Sequence, residues 1–207
     1  MVKSKNEQSK TVQRIALDGV GMALYLALSF LTISIGNLKF TVVSLIVLLV
    51  ACLFGPLDAV IVAIGGEFLN QVLRYGVTVT TPLWVLPPAL RGLIVALAAW
   101  LVIRYLKKPI ERVPALFFPV CVVAALLTTC LNTFVIFVDA VVFDYYTPAY
   151  VWAQFGVRIL TGVITAVLMC LILTFVLPPL RREGIGRAVL KPDGTEEKPE
   201  KEEEQDW

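Results

Sequence analysis

Charge is nearly absent from most of this chain, and nothing else in the sequence restricts its fold so strongly. Acidic and basic side chains crowd into the two ends and one internal loop, leaving long apolar runs between them. Of the 207 residues, 58% are hydrophobic and 16% charged, against about a quarter charged in soluble domains. With a mean hydropathy of +0.82, the chain reads as a polytopic, all-α integral membrane protein. Residues 1–14 are polar and basic and lead directly into the first of several apolar runs, so no signal peptide is expected.

Six membrane segments are predicted, over residues 15–36, 40–54, 56–74, 82–104, 115–138 and 149–180. A helix needs about 20 residues to cross the hydrocarbon, so the second is short and the sixth long. Pro56, Pro82, Pro114 and Pro148 stand at segment starts, where a missing backbone N–H costs least. Orientation follows from the cations. Lys3, Lys5, Lys10 and Arg14 precede the first segment. Arg104, Lys107, Lys108 and Arg112 follow the fourth, and Arg181, Arg182, Arg187, Lys191, Lys198 and Lys201 follow the sixth. The positive-inside rule then places both termini in the cytoplasm. The organisation is a basic N-terminus (1–14), a six-transmembrane-helix bundle (15–182) and a charged tail (183–207), expected to be disordered. A multi-pass protein of the plasma membrane results.

Several chemistries are absent. There is no histidine, no Cys-x-x-Cys pair and no GxxxxGK[ST] loop, which removes His-ligated zinc, HExxH proteolysis and ATP hydrolysis by a P-loop. Cys52, Cys121, Cys130 and Cys170 all fall in apolar runs and read as small packing residues. No enzyme, cofactor, metal or nucleic-acid function is expected.

Four cations remain, Lys39, Arg74, Arg91 and Arg158, in or beside the outer half of the membrane. The stretch FGPLDAVIVAIGGEFLNQVLRY carries Glu67, Asn70, Gln71 and Arg74 on one helical face. At ~1.5 Å per residue, Glu67, Arg91, Asn132 and Arg158 lie about 10–14 Å below the outer surface. Trp84 shares a face with Arg91, Thr128 and Asp139 share one with Asn132, and Tyr150, Gln154, Thr161 and Thr165 share one with Arg158. The expected binding set is Glu67, Asn70, Arg74, Trp84, Arg91, Asn132, Gln154 and Arg158. The plain alternative is a lock, in which Glu67 pairs with Arg91 or Arg158 because an intramembrane charge is costly. The other reading is an outward-facing cavity for a polar organic molecule. On the first helix, Ala16, Gly19, Ala23 and Ala27 form a small-residue stripe fit for close helix packing, within the bundle or on another subunit.

With its Phe54-Gly55-Pro56 turn, the FGPLDAVIVAIGGEFLNQVL stretch and Ala23-x-x-x-Ala27, the chain resembles the S component of energy-coupling-factor vitamin transporters. Asp58 and Ala59 depart from the small pair usual after the turn, and Glu67 stands near where an Asp is often found. The resemblance implies a subunit that captures a water-soluble vitamin from outside. It also implies docking, through Gly19, Ala23 and Ala27, on a transmembrane T subunit driven by two ATPases. A surplus of one positive charge in the outer half mildly favours an anionic vitamin, such as folate or pantothenate, over a cation such as thiamine. Glu67 could instead recognise ring N–H groups. Two other functions stay open: an autonomous ion-coupled secondary transporter with Glu67 or Asp139 as its ion site, and a non-transporting scaffold subunit.

Overall fold

A computed structural model describes residues 5–35 and 38–183, with side chains over 12–31 and 42–183. The helices are α1 (Lys5–Ser29), α2 (Ser44–Leu53), α3 (Pro56–Tyr75), α4 (Thr81–Trp84), α5 (Leu86–Leu106), α6 (Pro114–Val142) and α7 (Phe155–Arg182). A 3-10 turn (Ile110–Arg112) precedes α6, and a π turn (Ala149–Ala153) precedes α7. Among the described residues, four spans are long and apolar enough to cross a membrane: Pro56–Tyr75, Thr81–Leu106, Pro114–Val142 and Ala149–Arg182.

Two segments differ from the sequence expectation. The first helix stops at Ser29 rather than continuing to 36, and two strands follow, β1 (Thr32–Ile35) and β2 (Leu38–Thr41), paired antiparallel with Ile33 opposite Phe40, so that the second helix opens at Ser44 rather than 40. Residues 32–41 are rich in β-branched and aromatic side chains on either side of Gly36-Asn37, a hairpin signal that overrides helical continuation. The charged tail from residue 184 onward lies outside the described residues.

The short helix α2 forms the hub. Eight of its ten residues are buried, and Val47, Leu48, Ala51, Cys52 and Leu53 pack with Ala59, Val62 and Ala63 of α3, and with Val95, Ala96 and Ala99 of α5. Phe117, Cys121 and Ala124 of α6 and Cys170, Leu173 and Leu177 of α7 complete this core. Ten residues suffice because α2 is enclosed by neighbours instead of lipid. On the outer helices, large apolar side chains such as Leu73, Leu97, Phe134, Leu160 and Phe175 face away from the protein, as a bilayer-solvated surface requires.

The α2–α3 connection is set by backbone chemistry. Gly55 has φ 101°, a conformation open to glycine and strained for other residues, and Pro56 then occupies the first turn of α3. Two ion pairs fasten this end of the bundle. Arg14 of α1 reaches Asp58 in the first turn of α3 at 2.8 Å, where the helix dipole also favours an acid. Arg181 of α7 meets Glu111 at 2.5 Å, both buried, and donates to the Cys52 carbonyl at the end of α2 at 2.7 Å. Asp58, which departs from the motif the sequence resembles, thus has a structural partner.

Candidate functional site

At the opposite end of the bundle, α1 to α6 enclose a cavity of about 350 Å³. Glu67 organises one side of it. Its Oε2 accepts from the Tyr25 hydroxyl at 2.8 Å and the Asn70 amide at 3.1 Å, and its Oε1 from the Gln71 amide at 2.6 Å. All three donors are neutral. Two glycines make this network possible. A Cβ on Gly66 would stand 2.5 Å from the Tyr25 ring, and one on Gly65 would stand 2.6 Å from Met22 Sδ. Their absence lets α1 approach α3 closely enough for Tyr25, 3% exposed, to reach the carboxylate.

Arg91 lines the same cavity from α5. Its Nε is buried with no acceptor, and no acid among the described residues pairs with its guanidinium. Arg74 is held differently. It donates to the Ser29 carbonyl at the end of α1, and its guanidinium lies 5.0 Å from the Phe30 ring centroid. Two further buried atoms at the cavity lack partners, Asn70 Oδ1 and Ser44 Oγ. On α6, Thr128 and Thr129 spend their hydroxyls on their own helix, donating to Ala124 and Ala125 carbonyls at 2.6 and 2.8 Å, while Asn132 completes that wall. With two guanidiniums and one carboxylate, the lining carries a surplus of one positive charge.

Trp84 closes the rim. Its indole N–H donates to Asp139 Oδ1 at 3.3 Å, where Thr80 also donates at 2.5 Å. The Tyr145 hydroxyl bonds to Asp139 Oδ2. Partial burial first, and then this bond, raise the Tyr145 phenol above its ordinary range and keep it a donor.

Six of the eight residues expected from sequence therefore share one cavity: Glu67, Asn70, Arg74, Trp84, Arg91 and Asn132. Gln154 and Arg158 are not among its lining residues. Gln154 is exposed, and Arg158 turns back to the carbonyls of Tyr150 and Val151, at 3.3 Å each, in the π turn that opens its own helix. A π turn leaves carbonyls without their usual i+4 partners, and Arg158 takes them up. Helix α7 contributes nothing to the lining, so the face containing Tyr150, Gln154 and Arg158 does not meet the others. Conversely, Tyr25, Ser29 and Ser44 line the cavity without having been selected from sequence. A tyrosine in an apolar helix reads as core, and only the Gly65-Gly66 pair beside Glu67 hinted at a close neighbour.

The small-residue stripe lies elsewhere. Ala16, Gly19, Ala23 and Ala27 are all exposed on the outward face of α1, and a Cβ on Gly19 would meet nothing within 4 Å. The inward face carries Gly21, Tyr25 and Ser29 instead.

A family model described as ECF transporter, substrate-specific component, matches residues 13–177. Among solved structures, the chain is similar in fold to one described under "Structure and mechanism of the S component of a bacterial ECF transporter". The TM-score is 0.62 at 17% identity, over 84% of this chain and 98% of that one. No curated protein matches the sequence.

Proposed function

The chain belongs to the family of substrate-specific components of energy-coupling-factor (ECF) transporters, and from that premise we propose that its cavity captures a water-soluble organic anion of the vitamin class. The observation that carries the charge assignment is Arg91. A guanidinium in the membrane costs about 2.5–3.5 kcal/mol on insertion scales, and this one has no acid partner among the described residues. Glu67 lines the same cavity but forms no ion pair with it among the described residues; its carboxylate bonds instead to Tyr25, Asn70 and Gln71. A ligand carboxylate supplies the missing charge with the charge-assisted geometry arginine favours. Folate and pantothenate both present a carboxylate. Asn70 Oδ1, buried without a partner, is a further acceptor for a ligand donor.

In this reading six segments cross the plasma membrane with both termini in the cytoplasm and the cavity opens in the outer leaflet; the cations at the Arg14 and Arg181 end support it. The exposed stripe of Gly19, Ala23 and Ala27 serves as the docking face for a T subunit, and two partner ATPases drive release inward. The scaffold alternative would have the polar groups satisfy one another, and the unpaired Arg91 speaks against it.

Native mass spectrometry of the detergent-purified protein tests this reading. A co-purified carboxylate that is lost in Arg91→Ala is the expected result. Retention of a cation, or of the same solute at undiminished occupancy in the variant, would overturn it.

A further inference from the structure

Asp139 does not line the cavity, yet donors from three separate pieces of chain converge on its carboxylate. Thr80, 2% exposed, comes from the connection between α3 and α4. Trp84 comes from the last residue of α4, and Tyr145 from the connection after α6. Local backbone chemistry aims the third. Asp144 adopts φ 59°, a left-handed conformation that Asp tolerates better than most residues. The Tyr145 N–H then bonds back to the Ala140 carbonyl at 3.0 Å and the Asp144 N–H to that of Val141 at 3.4 Å. This is a Schellman closure of α6, and it folds Tyr145 over the helix end toward Asp139. Thr80 is fixed in its turn by Thr78, whose hydroxyl lies 3.2 Å from its own.

Only one of the three donors touches the cavity, and that is Trp84. Within an indole, the N–H is the sole hydrogen-bonding group, so the bond to Asp139 decides how the ring stands. We infer that Asp139 is a positioning residue for the ligand site: it holds Trp84 as the cavity's outer wall and ties to that wall the two connections at the rim. A carboxylate suits the role because its two oxygens accept several donors at once. The inference rests on the reading of the cavity as the ligand site for its consequence in transport, but its test needs no ligand.

With Trp100, Trp152 and Trp207 replaced by Phe, Trp84 becomes the sole tryptophan and its fluorescence reports the wall directly. Two soluble quenchers serve as probes, neutral acrylamide and anionic iodide. Asp139→Ala is expected to shift the emission of Trp84 and raise its quenching by both agents, because the indole loses the hydrogen bond that fixes it. Asp139→Asn is isosteric and keeps one acceptor oxygen, so a smaller change in the same direction is expected. A carboxylate that only braced the fold would lower the melting temperature and leave the Trp84 signature of the folded protein alone. Unaltered emission and quenching in Asp139→Asn and Asp139→Ala, or in Asp139→Asn alone should the alanine variant not fold, overturns the proposal. That result would leave the Arg91 reading standing, since solute retention is measured separately.

Discussion

Tyr25 on α1 and Glu67 on α3 meet at 2.8 Å because Gly66, beside the glutamate, has no side chain to keep the ring away. One missing methyl thus sets the distance between two helices and lets the hydroxyl of one reach the carboxylate of the other. Gly66→Ala would place its Cβ 2.5 Å from the ring of a residue that is 3% exposed, and overpacking of this kind costs about 1–3 kcal/mol. Thermal unfolding in detergent should show that loss. Tyr25→Phe should cost about 1.5–3 kcal/mol by removing a hydrogen bond to a charged group while keeping the ring. Full stability in both variants would mean that the contact is not made.

The two intramembrane arginines taken together at the sequence level should behave differently. Arg91→Ala removes the unpaired guanidinium of the cavity and is expected to lower solute occupancy at least about tenfold, as the loss of a charge-assisted bond implies. Arg158→Ala removes a side chain that bonds to Tyr150 and Val151 carbonyls, and is expected to leave occupancy within about twofold, because no ligand contact is lost. Equal losses would bring α7 back into the site.

That divergence shows how far the sequence could be read. Proline positions located the starts of α3 and α6, because an apolar run that opens on Pro56 or Pro114 has few alternatives. Side chains on one helix are placed relative to each other by the 3.6-residue repeat, which is why Glu67, Asn70 and Arg74 arrive together. The π turn at Ala149–Ala153 breaks the repeat ahead of Arg158, and no propensity announces it. The strands Thr32–Ile35 and Leu38–Thr41 show an alternating composition, but an apolar run next to a helix invites extension of the helix. Tyr25 was hidden for a different reason, since a residue's partner across a helix interface depends on packing that one-dimensional patterning does not carry.

The two ion pairs at the basic end should be unequal in worth. Glu111→Ala would leave Arg181 with an uncompensated charge in a buried setting, where side-chain exposures are 9% and 2%. Breaking such a pair costs about 3–5 kcal/mol. Arg14 is 58% exposed but its partner Asp58 only 5%, so Arg14→Ala leaves a buried carboxylate supported by the helix N-terminus alone and should cost about 1–3 kcal/mol. Unfolding of both variants under the same detergent conditions measures the difference. Equal losses would show Arg14 to be far better shielded than its exposure implies.

The proposed docking stripe and the cavity lie on opposite faces of α1, so docking and capture should separate cleanly. Tyr25 and Ser29 turn inward to the cavity, while Gly19, Ala23 and Ala27 turn outward and are exposed. Ala23→Trp adds bulk only on the outer face, so solute occupancy of the isolated protein is expected to stay within about twofold. Close helix approach through small residues does not tolerate such a side chain, and uptake by cells expressing the complete transporter should be lost. Tyr25→Phe is the converse case: it alters the carboxylate network of the cavity and leaves the outer stripe untouched, so assembly with the partner subunits should survive. Normal uptake with Ala23→Trp would move the docking face off this helix, whatever the cavity binds.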